Sequence, residues 1–394
     1  MSDYAFVYND SLSRYELSEE HPFKPVRLEL TRSLLEDVGL LRDEHYCTPE
    51  SINEEELKWL HTPNFIEVVK VLSQGGSVKD PQSYGLATSD NPIFPGMHEA
   101  ILNICAASVT AVDLVASGKV KRAANLSGGL HHAHADKASG FCLYNDLAIA
   151  IEHAVREYGM RVAYVDVDAH HGDGVQGLFY DRADVLTLSL HESGRYLFPG
   201  TGHTYEVGKN AGRGMSVNVP LEPYTEDDSY LEAVEAVLPT YLRWFKPDLI
   251  VLQAGADMHS YDPLADLSMS VQGIAKSYRV VSDLADELCE GRLVVTGGGG
   301  YDPYRTVPRV WAHLWGVLTR QDVPEKIPQS WLERWQPECP AVLPTTFADD
   351  LRLWQPKPRR ADINSHNRTT IKRLHTTQRP IWEEELGVSP ARDA

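Results

Sequence analysis

Arg161-Val-Ala-Tyr-Val-Asp166-Val-Asp168-Ala-His170 decides how this chain is read. Its first half is an apolar run of strand composition, and its second half carries two carboxylates and an imidazole. Buried charge is costly unless it is paired or holds a metal. Residues two apart on a strand share a side. Asp166, Asp168 and His170 are therefore expected to aim one way, provided the extended conformation runs through His170. Oxygen and nitrogen donors converging on one point suit a divalent transition metal.

Four further apolar runs end in comparable chemistry. Arg122–Leu126 leads into Ser127-Gly-Gly-Leu-His131-His132, and Ala183–Ser189 leads into Leu190-His191. Asp248–Gln253 leads into Ala-Gly-Ala-Asp257, and Arg292–Thr296 leads into four glycines and Tyr301. Open parallel sheets bind their ligands beyond the carboxyl ends of the strands, so five such ends predict one shared site. Helical stretches alternate with the strands: Met97–Ser117, Tyr144–Tyr158, a helix running through Phe245, and Ile274–Leu288 closed by Gly291. Thr225-Glu-Asp-Asp228 reads as a capping box for the third of these. The alternation predicts an α/β fold whose parallel sheet is covered on both faces.

Residues 1–340 read as one catalytic domain and residues 341–394 as a C-terminal extension. Between Lys357 and Arg379 seven Lys or Arg stand against one acid, Asp362. The expectation is an extended basic tail lying against an acidic body. The net charge of -19 disfavours binding to nucleic acid or an anionic membrane. Five cysteines without a CxxC pair point to a reduced, cytoplasmic chain. No signal peptide is evident and no stretch reads as a membrane span. The four glycines before Tyr301 lack dinucleotide-binding spacing, and neither a Walker A lysine nor a G-x-S-x-G elbow occurs.

Asp168, His170 and Asp257 form a plausible three-ligand set, which leaves an open position for water and substrate. His131 and His132 need not share a job. One can take a proton from an activated water while the other, protonated, holds charge near the leaving group. Each needs an orienting carboxylate, and Asp166 and Asp173 are the natural candidates. His134 is assigned to the loop. The Tyr301 phenol can donate to a polarised carbonyl oxygen. Phe141, after Gly140, and Phe198 suit the walls of a slim tunnel. Asp90 can anchor a substrate backbone at its rim.

Taken together, these motifs resemble the zinc-dependent histone deacetylase superfamily, over roughly residues 15–320. The motifs are Gly-Gly-Leu-His131-His132, Gly140-Phe-Cys142, Asp166-Val-Asp-Ala-His-His-Gly-Asp-Gly174, Phe198-Pro-Gly-Thr-Gly202, Gly255-Ala-Asp257 and Gly297-Gly-Gly-Gly-Tyr301. Ser89–Met97 looks most like the bacterial acetoin-utilisation branch. The resemblance implies an arginase/deacetylase-like three-layer α/β/α fold with a central parallel sheet of about eight strands. It implies zinc on Asp168, His170 and Asp257, for which Fe(II) is an acceptable substitute. It implies His131, His132, Tyr301, Asp166 and Asp173 as the catalytic set, and Asp90, Gly140, Phe141, Phe198 and Leu264 along the substrate path. Arg27 matches an arginine near an acetate exit. A structural potassium is implied at Asp166, Asp168, His170, Ser189 and Leu190. The expected reaction is hydrolysis of N-ε-acetyl-lysine in proteins or peptides. An acetylpolyamine amidohydrolase and a non-catalytic acyl-lysine binding module are the alternatives. An arginase-type dimanganese site is disfavoured because His259, not Asp, follows Asp257 by two.

Overall fold

Eight strands form a single parallel sheet in this computed structural model, which describes residues 3–388. They are β1 (Tyr4–Val7), β2 (Tyr46–Cys47), β3 (Arg122–Asn125), β4 (Val162–Asp166), β5 (Val185–Glu192), β6 (Ser216–Leu221), β7 (Leu249–Gln253) and β8 (Leu293–Thr296). Their order across the sheet is β2-β1-β3-β8-β7-β4-β5-β6. Apolar side chains leave both faces of each central strand. Ala163 and Val165 of β4 enter one core with the helices Val26–Asp37, Asp227–Phe245, Val271–Cys289 and Val307–Thr319. Val162 and Tyr164 enter the other core with Pro63–Ser73, Met97–Ala116 and Asp146–Tyr158. The runs are continuous rather than alternating because both faces are covered.

Register then creates the site. Asn125 pairs with Thr296, Thr296 with Gln253, Gln253 with Asp166, and Asp166 with Ser189. One polar residue from each of five strands thus stands in a single row across the sheet. The chemistry-bearing loops leave from just beyond that row.

Several expectations change. The helix Met97–Ala116 is long and apolar enough to cross a membrane by length and composition, with a mean hydropathy of 1.6, contrary to the sequence expectation. Here it is a core helix packed on Asp146–Tyr158 and β3. The helix Asp227–Phe245 has no capping box. Thr225 Oγ1 donates instead to Glu222 O at 2.6 Å, and Asp227 accepts from Ser270 N at 2.8 Å. The helix Val271–Cys289 starts earlier than expected, on a Ser270 cap. Its end is turned by Glu290, already at φ +58°, before Gly291.

The basic segment is a helix, Arg360–Pro380, not an extended tail. It lies on the acidic body as expected, with Arg360 2.9 Å from Asp228 and Arg368 2.8 Å from Glu232. These are exposed pairs of small individual worth. Its firmer anchor is buried Asn367, which accepts from Glu222 N at 2.9 Å and donates to Thr225 Oγ1 at 2.8 Å.

Asp349 binds the extension more tightly. Its side chain is only 7% exposed, pairs with Arg309 at 2.8 Å and His259 at 3.0 Å, and accepts from Val271 N at 2.8 Å. Burial alone would raise its carboxyl, but His259 and Arg309 outweigh this and hold it below the usual range. Asp349→Ala is expected to cost about 3–5 kcal/mol in chemical denaturation at neutral pH, because it strands the buried Arg309 charge. A depressed folded pKa gives stability that is present above the unfolded value and is lost as pH falls below it. The gap between wild type and variant should therefore narrow below about pH 4.

Candidate active site

Asp168 and His170 meet through a turn rather than through strand alternation. Extended structure ends at Asp166, and Asp168 Oδ1 accepts the His170 N–H at 2.9 Å. That turn brings His170 Nδ1 to 3.2 Å from Asp168 Oδ1 and 2.8 Å from Asp257 Oδ2. One donor atom from each residue lies within 4.8 Å of the others, and all three residues are buried. Asp166 stands outside this group. Its Oδ2 faces His131, and its Oδ1 accepts from Asp168 N at 3.0 Å.

Main-chain donors aim the two carboxylates. Gly299 N donates to Asp168 Oδ2 at 2.6 Å, and Ala169 N donates to Asp257 Oδ1 at 2.9 Å. The opposite oxygens are left facing His170. Gly299 has to be glycine, because a Cβ there would lie 2.0 Å from Asp257 Oδ2. Burial and the Asp168 charge push the Asp257 carboxyl up to about 6. Two buried carboxylates that resist ionising together are what a bound cation relieves. Two oxygens, one imidazole nitrogen and an open side fit a divalent transition metal.

The histidine pair sits beside this centre. His131 Nδ1 is 2.9 Å from Asp166 Oδ2, and His132 Nδ1 is 2.7 Å from Asp173 Oδ1. A carboxylate only accepts, so each Nδ1 carries the proton and each Nε2 is turned inward. The two Nε2 atoms are 3.1 Å apart, and His131 Nε2 is 4.0 Å from Asp168 Oδ1. Their proton affinities diverge. Burial opposes charge on His131, but Asp166 and Asp168 prevail and raise it to about 9. Burial and the His131 charge push His132 down to about 3. Asp173 is shared, since His134 Nε2 lies 3.2 Å from its other oxygen. His134 is therefore part of the second dyad, not a bystander in the loop.

Tyr301 N donates to Asp262 Oδ2 at 2.8 Å, and Leu264 N donates to Asp262 Oδ1 at 2.9 Å. One buried carboxylate thus tethers both. Burial, Asp257 and Asp168 raise the Tyr301 phenol well above its ordinary value, so it stays a donor. The Phe141 ring is 5.7 Å from Tyr301, and the Phe198 ring is 4.9 Å from His132. A Cβ on Gly140 would lie 2.6 Å from His132 and 2.8 Å from Phe198. Phe141 itself is held at φ +71°, uncommon for a bulky residue. Asp90 is exposed, accepts from Ser89 Oγ at 3.3 Å, and acts on His21, whose ring packs 4.5 Å from Phe141. Arg27 is buried and donates to Gly300 O at 3.2 Å. Two small cavities, each about 10 Å³, share Phe23 and Arg27 in their walls, and one of them also touches His131, His132, Phe141 and Tyr301. Of the potassium set, Asp166 and Ser189 are register partners. Ser189 Oγ lies 2.8 Å from His191 Nδ1, and Leu190 O accepts from the Tyr230 hydroxyl at 3.1 Å.

Other residues of the site went unnoticed in the sequence. Tyr164 donates to Asp166 Oδ2 at 2.6 Å, and Gln253 donates to Gly129 O at 2.9 Å. Asp146 accepts from Leu130 N at 2.8 Å, and Asn145 donates to Ala133 O at 3.0 Å. These hold the loop that carries the histidines. Tyr164 had a usable signal, because it lies two before Asp166 on the same strand face.

The family model of the histone deacetylase domain matches residues 21–318. The chain belongs to the histone deacetylase family. Acetoin utilization protein AcuC of Bacillus subtilis (strain 168) is 45% identical over 374 residues, covering 95% of this chain and 97% of that one. AcuC of Staphylococcus aureus (strain MSSA476) is 40% identical over 366 residues, covering 92% and 94%. A crystal structure of an HDAC homolog complexed with SAHA matches with a TM-score of 0.83 at 28% identity, covering 94% of this chain and 99% of that one. An HDAC homolog from Aquifex aeolicus matches with a TM-score of 0.82 at 28% identity, covering 92% and 99%. This histone deacetylase family member thus lies in the AcuC-like branch, has the arginase/deacetylase fold, and is a hydrolase of the deacetylase class. Asp257→Ala is expected to abolish stoichiometric metal binding, read by elemental analysis of the purified protein. Full retention of metal would remove Asp257 from the ligand set.

Proposed function

We propose that this deacetylase hydrolyses the N-ε-acetyl amide of lysine side chains in proteins or peptides, releasing acetate. Zinc is the metal proposed for Asp168, His170 and Asp257, with Fe(II) an acceptable substitute. The observation that carries this reading is the pair of inward Nε2 atoms, 3.1 Å apart, each backed by a carboxylate.

A divalent cation held there supplies Lewis-acid polarisation of a carbonyl and acidification of a water. His132, neutral because burial and His131 hold its proton affinity down, accepts the proton of the attacking water at Nε2. Asp173 keeps the His132 proton on Nδ1, so Nε2 is the nitrogen left to accept. His131, protonated and gripped by Asp166, keeps positive charge beside the reaction. The Tyr301 phenol donates to the carbonyl oxygen as negative charge builds there. The C–N bond then breaks as the His132 system returns its proton to the departing lysine amine. Gly140, Phe141, Phe198 and Leu264 line the path of the aliphatic chain, and Asp90 meets the substrate backbone at the rim. An acetate exit is proposed past Arg27, which borders two small cavities. A structural potassium is proposed at Asp166, Asp168, His170, Ser189 and Leu190. Five unpaired cysteines support a cytoplasmic setting.

Tyr301→Phe should lower kcat by about 10²–10³ with metal content unchanged. A fully active variant would remove the phenol from the mechanism. Turnover of acetyl-lysine peptides against acetyl-spermidine, with metal analysis of the same preparation, tests the substrate. Faster acetyl-spermidine turnover would reassign it to polyamines. Acetyl-lysine binding without turnover would leave a binding module.

A further inference from the structure

A cleft of about 740 Å³ lies between the loop that carries Phe198 and the C-terminal extension. Arg195 and Tyr196 on its wall directly precede Leu197-Phe198. Tyr224, on the same cleft, donates its N–H to Asp266 O at 2.7 Å, two residues from Leu264. Lys357 and Arg359 of the extension close the far side. The cleft therefore adjoins the segments of both proposed tunnel walls. Tyr196 is two residues from Phe198, at most about 7 Å along the chain, which puts the cleft within reach of a polypeptide leaving the tunnel mouth.

Its charge runs against that of the protein. In a chain of net charge -19, the cleft gathers Arg195, Lys357 and Arg359 against Glu222 and Asp362. Asp362 is taken up by Arg359 at 3.3 Å. Among the described residues no carboxylate lies within 4.0 Å of the Arg195 or Lys357 side-chain nitrogens; Lys357 Nζ stands 5.7 Å from the Tyr224 ring centre. Tyr196 and Tyr224 are 60% and 47% exposed. Tyr224 is also held at φ +64°, a conformation that costs a bulky residue energy and collects at functional sites.

We infer that this cleft receives the polypeptide flanking the acetylated lysine and selects an acidic side chain within about three residues of it. The inference rests on the lysine-deacetylase reading above. The rings of Tyr196 and Tyr224 pack on the peptide, and Arg195 and Lys357 meet its carboxylate.

Three substrates test it on the full chain: an acetyl-lysine peptide with Glu two residues away on both sides, the same peptide with Lys there, and capped acetyl-lysine alone. The Glu peptide should exceed the Lys peptide in kcat/KM by about five- to tenfold, mainly through KM, as expected for two rim charges. The preference should shrink at raised salt. Combining Arg195→Glu with Lys357→Glu should invert it, and Arg195→Lys should keep it. Equal kcat/KM for the two peptides would overturn the cleft's role while capped acetyl-lysine turnover upholds the deacetylase reading. Failure to turn over all three would defeat that reading, and the cleft's role with it.

Discussion

Two carboxylates and an imidazole share a buried space, and the rest of the architecture answers to that. Asp168 and Asp257 are fully buried, and their inward oxygens converge on His170 Nδ1. Such charge persists in a low-dielectric interior only with compensation. Part of it comes from peptide N–H groups at Gly299 and Ala169, which fix the outer oxygens. Side chains alone would leave rotamer freedom there. Main-chain donors at the ends of parallel strands leave almost none. The remainder calls for a cation, so a metal bound there would relieve the site's electrostatics as well as supply chemistry.

The same economy explains the asymmetry of the histidines. His131 faces two carboxylates, Asp166 at 2.9 Å and Asp168 at 4.0 Å. His132 has one, Asp173, which is divided with His134. Two imidazoles 3.1 Å apart at Nε2 cannot both hold an extra proton cheaply. His131, with two carboxylates beside it, is the one that keeps it, and His132 is left the weaker base. Sequence spacing alone left these roles open, because adjacent residues in a loop have no fixed relation to carboxylates 35 and 41 positions away.

What the sequence made legible was the row of strand ends. Apolar runs that stop at Leu126, Asp166, Ser189, Gln253 and Thr296 announce a parallel sheet, and the residues just past them announce chemistry. What it concealed is of three kinds. Local turns replaced regular geometry, so Asp168 and His170 meet through an Asx-type turn although strand alternation leads to the same pair. Long-range partners had no local mark: Asp262, Asp146 and Asn145 read as ordinary polar residues, yet they anchor Tyr301 and the histidine loop. Competing partners defeated local signals, as when Thr225 and Asp227 bonded elsewhere and left the expected capping box unmade. The C-terminal segment belongs here too. Its helix follows from packing on the body through Asn367 and Leu374, which a mostly polar stretch does not advertise.

That packing changes how the extension relates to the chemistry. Asp349 lies outside the stretch that carries the family motifs, yet it grips His259, two residues beyond the proposed metal ligand Asp257. The same carboxylate neutralises Arg309, buried in the helix that follows the Tyr301 loop. A single acid thus bridges the segments that deliver Asp257 and Tyr301 on the side remote from the reaction. Neither His259 nor Arg309 can be left unpaired in the interior without loss, so the loops beyond β7 and β8 are braced only when the extension is in place. The extension therefore braces the loops beyond β7 and β8, and its Lys357 lies on the same cleft as Tyr196 and Tyr224.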